Sequence, residues 1–191
     1  GYTATTRVHC GRLCVPVLND TGASCSCLTE EQFLLICNHT YHMVEQRQLT
    51  KKSYNYPIRH IYRYDHTSKL KGADKEGGMI VEFAVELRLE FIPLGSERGV
   101  CKDVYFKIFK KGTCGIPGLV LGFPNLDHPV MPGGEGLSWI NRVDGAEYSQ
   151  LGVTLPRLDD RRKTDYNSSL ARYVASNGEL YSVDDVTGER I

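Results

Sequence analysis

The chain has 191 residues, with 23 basic and 23 acidic side chains and no formal net charge at pH 7. This length is enough for one domain with a buried core, with room for an appendage. Balanced charge provides no field to attract nucleic acid or an anionic membrane, and no apolar run approaches the roughly 20 residues that a membrane-spanning helix needs. We therefore expect neither nucleic acid nor membrane as a partner.

Strand patterns dominate the N-terminal part of the chain. Residues 3–8 and 13–18 flank a short turn containing Gly11, which predicts a β-hairpin. The second strand is apolar and runs directly into Asp20-Thr21-Gly22-Ala23-Ser24. This order predicts an Asp20 carboxylate at the end of a strand, inside a tight turn that contains glycine.

A helix is predicted after this turn. Thr29 followed by Gln32 three residues later has the spacing of a capping box, and the apolar residues 33–36 come next. Residues 38–57 are polar and mixed in character, so we interpret them as an insertion loop.

Two strands are predicted in the middle of the chain. Residues 58–64 alternate moderately, and residues 79–91 alternate strongly, with apolar side chains at every second position. The segment 65–78 between them is polar and includes three glycines, which predicts a mobile hairpin loop.

The C-terminal third is less regular. Residues 104–109 predict another strand. Residues 137–140 and 148–155 are predicted to pair around Asp144-Gly145, a favourable two-residue turn. Residues 156–191 combine mixed charge with scattered apolar side chains, so we expect a loosely attached spacer.

A second motif follows the Asp20-Thr21-Gly22-Ala23-Ser24 turn far downstream, the run Leu119-Val120-Leu121-Gly122-Phe123-Pro124-Asn125-Leu126-Asp127. Together the two motifs resemble those of the retropepsins, the dimeric aspartic proteases of retroviruses and retrotransposons. The resemblance implies an all-β half-barrel with one catalytic motif per chain and a short helix after the second motif. It makes residues 65–78 the flap over a cleft, although an ordinary solvated hairpin would have the same composition. The domains it implies are a protease domain over residues 1–140, and over residues 141–191 a hairpin, the candidate dimer-interface element, followed by a spacer towards a further polyprotein domain.

The resemblance assigns catalysis to Asp20. The chain has no second Asp-Thr-Gly or Asp-Ser-Gly, so an active enzyme would need two copies that face each other across a two-fold axis. Two carboxyl groups in contact share one proton, so one can activate water while the other donates to the scissile carbonyl. The expected function is hydrolysis of a polypeptide by a homodimeric aspartic endopeptidase that processes a retroelement polyprotein.

Supporting roles also follow from the resemblance. Thr21 would donate a hydrogen bond across the dimer axis, and Gly22 would bring its N–H group to the carboxylate. Ala23 would leave room for the substrate backbone, and Ser24 would hydrogen-bond near the outer oxygen of the acid. Leu121-Gly122 would pack closely beneath the loop.

One residue departs from the family pattern, because Asn19 occupies a position where retropepsins usually have an apolar side chain. An amide buried there without partners would cost about 1–3 kcal/mol. Two alternatives to catalysis therefore stay open. The first is a catalytically silent retropepsin-like domain that dimerises or binds peptides. The second is an unrelated β-rich domain in which Asp20 is only a turn residue.

The seven cysteines are an odd number for a disulfide framework, and their spacing matches no zinc-finger template. We expect free thiols packed as small apolar groups, which indicates a reducing compartment such as a retroelement particle or the cytoplasm. A metal site at His9, Cys10 and Cys14 is a weaker alternative. We expect no metal and no cofactor.

Overall fold

The computed structural model describes residues 4–23, 25–110, 119–122 and 137–158, and for residues 65–70 and 79 it describes the backbone alone. In chain order its elements are β1 (Ala4–Cys10), β2 (Leu13–Asp20), β3 (Ser26–Thr29), α1 (Glu30–Glu45), β4 (Ile58–Leu70), β5 (Met79–Phe91), β6 (Val100–Phe109), β7 (Leu119–Gly122), β8 (Ile140–Arg142), β9 (Gly145–Tyr148) and β10 (Val153–Pro156).

Six of these strands close into a barrel. Hydrogen bonding follows the order β1-β2-β7-β3-β6-β5-β4, and a further pairing of β1 with β5 closes the ring, leaving β4 outside it against β5. A second, three-stranded sheet has the order β10-β9-β8. The predicted all-β class, with a single helix in the described residues, is confirmed.

The N-terminal hairpin forms where the sequence predicts it. β1 and β2 pair from Ala4 opposite Asn19 to Cys10 opposite Leu13, and Gly11 in the turn adopts a φ of +62°. A left-handed backbone of this kind favours glycine. The strands run two residues further than predicted at their C-terminal ends, so that Asp20 is itself the last residue of β2.

Helix α1 begins at the predicted capping box, in which the Thr29 hydroxyl accepts from the N–H of Gln32 and the Gln32 side chain accepts from the N–H of Thr29. The predicted insertion loop over residues 38–57 is wrong in its first part, because the helix continues to Glu45. Buried polar residues hide the helical pattern there: His39 and Thr40 lie on the core face, and the Thr40 hydroxyl donates to Ile36 O at 2.7 Å. This helix is not long and apolar enough to cross a membrane.

β5 has the predicted bounds, and the alternate residues Val85, Leu87, Leu89 and Phe91 are fully buried. β4 continues to Leu70, so the first part of the predicted loop 65–78 is strand. The remainder, residues 71–78, lies outside the described residues, as does the short helix predicted after Gly122.

The C-terminal segment forms a three-stranded meander where a single hairpin was predicted. β8 pairs with β9 across Val143-Asp144, and β9 then pairs with β10. The predicted second strand, 148–155, is interrupted by a turn at whose end Gly152 has a φ of +66°. Gly145 belongs to β9, where an added Cβ would lie 2.1 Å from Leu155 O.

The main core joins the barrel to this meander. Val17 and Phe91 of the barrel belong to the same buried cluster as Trp139, Tyr148 and Leu155. The rings of Phe91 and Tyr148 lie 4.8 Å apart, tilted by 56°. The division predicted at residue 140 stays a prediction, but buried residues on both sides of it share one core.

Candidate active site

Asp20 lies at the point where two parallel strands end together. β2 pairs with β7 so that Asn19 is opposite Leu121 and Asp20 is opposite Gly122. The chain then turns tightly, with Ala23 N donating to Asp20 O at 3.2 Å. The N–H of Gly22 donates to the Asp20 carboxylate oxygen Oδ1 at 2.9 Å. The predicted position of Asp20, at a strand end beside Gly122, is therefore confirmed.

The remaining residues of the turn differ in exposure. Thr21 and Gly22 are exposed, Ala23 is half-buried, and Ser24 lies outside the described residues. An exposed hydroxyl at Thr21 is free to meet a second molecule, but its cross-axis hydrogen bond stays a prediction.

Only glycine fits at position 122, because the backbone of Cys25 passes directly over it. A Cβ built on Gly122 would lie 2.3 Å from Cys25 O and 2.4 Å from the Cys25 carbonyl carbon. The Gly122 N–H donates to the Ser26 hydroxyl at 3.1 Å, which fixes the segment after the turn above the end of β7. No side chain fits between these two backbones, so the predicted close packing of Gly122 beneath the loop is present.

An apolar cluster lies beside the turn. Its buried members are Cys27, Val81, Phe109 and Val120, and Ala23 of the turn packs against them. Strands β3, β5, β6 and β7 therefore contribute to one buried apolar cluster next to the Asp20 loop. Burial raises the pKa of the neighbouring Cys25 thiol, and Lys107 partly opposes the rise, so this thiol is not activated as a nucleophile.

Asn19, the residue that departs from the family pattern, is completely buried and well bonded. Its Nδ2 donates to Ala4 O at 2.9 Å and to Thr6 Oγ1 at 3.1 Å, and Val17 O lies 3.4 Å away. Its Oδ1 accepts from the Tyr148 hydroxyl at 2.6 Å. The desolvation cost expected of an unpaired amide is therefore offset by hydrogen bonds to the barrel and to Tyr148 of the C-terminal meander.

The C-terminal meander also contacts the main chain at this residue. Asn141 Nδ2 donates to Asn19 O at 3.0 Å, so both Asn141 and Tyr148 bind the residue that precedes Asp20. Sequence analysis did not predict either contact. The one available signal was that a buried amide needs partners, but those partners lie 122 and 129 residues further along the chain.

The cysteines of the described residues are thiols outside any disulfide bond, as predicted, and Cys114 lies outside those residues. Burial raises the pKa of Cys10 strongly and that of Cys37 to about 11, so both are neutral packing groups. Within the described residues no three His, Cys, Asp or Glu side chains are grouped so that they could hold a metal ion, and the alternative site at His9, Cys10 and Cys14 is not formed.

The solved structures that are similar to this chain include the following two. The retroviral protease-like domain of Ddi1 from Leishmania major is 10% identical, with a TM-score of 0.44, and the match covers 84% of this chain and 97% of that domain. The EIAV protease in complex with the inhibitor HBY-793 is 22% identical, with a TM-score of 0.29, and the match covers 63% of this chain and 82% of that one. No protein-family model and no curated protein matches the chain.

Proposed function

We propose that this chain is one half of a homodimeric aspartic endopeptidase, with Asp20 as its catalytic acid. The observation that carries the proposal is the fixed carboxylate at the end of β2, which accepts from Gly22 N–H at 2.9 Å and is paired in register with Gly122. Strand ends held in this way place an acid at the rim of the barrel, where a second copy can present its own.

The chemistry follows from pairing two such acids. When two carboxyl groups are in contact, ionising both is unfavourable, so the pair holds one proton. The charged member removes a proton from a water molecule, and that water attacks the scissile carbonyl carbon. The protonated member donates to the carbonyl oxygen as the tetrahedral intermediate forms.

The resemblance implies that the substrate is an extended polypeptide, and the apolar cluster beside the turn adds no preference for its side chains. Cys27, Val81 and Val120 are already buried in the protein, so this cluster supports the turn through Ala23 and offers no exposed surface to a substrate side chain. From the resemblance alone, we propose a retroelement polyprotein as the natural substrate.

The same turn also has a structural interpretation. A hydrogen bond from Gly22 N–H to Asp20 Oδ1 is an Asx-turn, which a non-catalytic aspartate can make equally well. Asp20→Asn distinguishes a catalytic from a structural aspartate. The amide oxygen of asparagine can accept the same hydrogen bond, but asparagine cannot act as a general acid or base.

The test is cleavage of a peptide library at acidic pH by the wild type, by Asp20→Asn, and by a control, Asp144→Asn, which alters an exposed aspartate in the turn between β8 and β9. We expect cleavage by the wild type and the control, no cleavage by Asp20→Asn, and unchanged unfolding of all three. Specific activity of the wild type should fall on dilution, since the active species is a dimer. Constant specific activity down to a monomer, or cleavage by Asp20→Asn, would refute the proposal. A dimer without any cleavage would support the silent binding domain.

A further inference from the structure

A closed ring of hydrogen bonds lies directly beneath the residue that precedes Asp20. Asn19 Nδ2 donates to Thr6 Oγ1 at 3.1 Å, the Tyr148 hydroxyl lies 2.6 Å from Asn19 Oδ1, and the hydroxyls of Thr6 and Tyr148 are 3.0 Å apart. All three residues are buried, and they come from β2, β1 and β9. The ring therefore joins the N-terminal hairpin to the C-terminal meander at the strand that carries Asp20.

The direction of every hydrogen bond in this ring is determined. An amide nitrogen only donates and an amide oxygen only accepts. The Tyr148 hydroxyl must therefore give its hydrogen to Asn19 Oδ1. The Thr6 hydroxyl, which accepts from Asn19 Nδ2, must in turn give its hydrogen to the Tyr148 oxygen. Each group donates once and accepts once within the ring, and hydrogen bonds in such a chain strengthen one another.

A second contact from the same meander reaches the backbone. Asn141 of β8 donates to the carbonyl oxygen of Asn19, which belongs to the peptide group linking Asn19 to Asp20. The amide side chain of Asn19 is thus held by Tyr148 and its carbonyl group by Asn141. Few rotations remain open to the end of β2 while both contacts are made.

We infer that Tyr148 is a positioning residue for Asp20, acting through Asn19, and that the 137–158 segment is therefore a working part of the catalytic unit. The inference rests on the proposed function for its kinetic consequence. Its structural consequence, that loss of the Tyr148 hydroxyl displaces the Asp20 turn, does not depend on proteolysis. Catalytic groups must be held closely in place, since a displacement of about 1 Å can reduce the rate by about 100-fold.

Tyr148→Phe removes the hydroxyl and with it two of the three hydrogen bonds of the ring, so that only the bond from Asn19 Nδ2 to Thr6 Oγ1 remains. Tyr54→Phe is the control for loss of a hydrogen-bonded tyrosine hydroxyl at an exposed site away from the turn. Tyr54 donates to Glu90 at 3.0 Å, and Glu90 pairs with His9 at the end of β1 remote from Ala4 and Asn19. Asn141→Ala tests the backbone contact without altering the buried ring. Each purified full chain is measured at a temperature well below its unfolding midpoint.

Two measurements are made on every variant. The first is kcat and KM for the best peptide from the library. The second is the Gly22 amide signal in the ¹H–¹⁵N spectrum of labelled protein, which reports the hydrogen bond from Gly22 N–H to Asp20. We expect Tyr148→Phe to lower kcat by about 10- to 100-fold with KM nearly unchanged, and to shift the Gly22 signal. Asn141→Ala should change both in the same direction, and Tyr54→Phe should change neither.

Wild-type kcat and an unmoved Gly22 signal in a folded Tyr148→Phe protein would overturn the inference, even if that variant unfolds at lower temperature. An equal loss of kcat in Tyr54→Phe would also overturn it, because the loss would then reflect general destabilisation. If the wild type cleaves no peptide, the proposed protease function fails, and the Gly22 signal alone decides the positioning role: a shift in Tyr148→Phe but not in Tyr54→Phe supports it, and no shift refutes it.

Discussion

Replacing Asn19 by leucine should destabilise the protein, although leucine is the more apolar residue in a fully buried position. Leucine branches at the same carbon as asparagine but offers no acceptor to the Tyr148 hydroxyl and no donor to Thr6 Oγ1. The Tyr148 hydroxyl can turn towards Thr6, so one hydroxyl hydrogen is left without an acceptor. One unsatisfied buried group costs about 1–3 kcal/mol. For a chain of this size we expect the unfolding midpoint to fall by about 2–12 °C.

A double-mutant cycle isolates the ring from the general effect of changing a core residue. Tyr148→Phe alone leaves Asn19 Oδ1 without a donor and the Thr6 hydroxyl hydrogen without its acceptor, so it should destabilise by about 1–3 kcal/mol or more. In the double variant Asn19→Leu/Tyr148→Phe, the side chains at both positions are apolar, so neither needs a hydrogen-bond partner. The loss of unfolding free energy in the double variant should therefore be smaller than the summed losses of the two single variants by about 0.5–3 kcal/mol.

The assay is urea unfolding of all four proteins at one fixed concentration, because dimerisation would otherwise contribute to the measured stability. Adding Thr6→Val to the double variant removes the last hydroxyl of the ring and should recover further stability. Strict additivity of the Asn19 and Tyr148 changes would refute the reasoning, since it would mean that the two side chains do not share a hydrogen bond in solution.

Three further predictions follow from individual contacts. Gly122→Ala should destabilise by about 2 kcal/mol or more, measured by urea unfolding, because the new methyl group would lie 2.3 Å from Cys25 O. Burial lowers the pKa of His39 to about 4 from its ordinary value of 6.5, so the unfolded chain takes up a proton first as the pH falls. The unfolding free energy should therefore decrease between about pH 6.5 and pH 4, as followed by urea unfolding across that range. Truncation after Leu158 should leave peptide cleavage intact, whereas truncation two residues earlier should weaken folding, because Leu158 is buried and its N–H donates to Thr5 O at 2.7 Å.

Gly95→Ala is the control for Gly122→Ala. It introduces the same methyl group where nothing lies within 4 Å, so it should show only the effect of a left-handed backbone, about 1–2 kcal/mol. His39→Leu should flatten the pH dependence, and an unchanged slope would show that His39 is not its source. Equal stability of the chains ending at residues 156 and 158 would contradict the role given to Leu158.

Local patterns were enough to predict several elements of this chain from its sequence. The bounds of β5 follow from strict alternation over residues 79–91, and the start of α1 follows from Thr29 and Gln32, which satisfy each other's backbone within one turn. The position of Asp20 follows in the same way, because an apolar strand ending in a glycine-containing turn determines where the carboxylate lies. In all three cases the interacting groups are close neighbours in the chain.

Only the tertiary structure determined where α1 ends and which residues hydrogen-bond to the buried side chain of Asn19. Residues 38–45 are helical because the fold buries His39 and Thr40, whose polar side chains conceal the apolar face of α1. Asn19 is accommodated because Tyr148, 129 residues away in the chain, brings a hydroxyl to its amide oxygen. A buried polar group shows in the sequence that it needs a partner, but which distant side chain supplies that partner depends on how the strands are arranged in space.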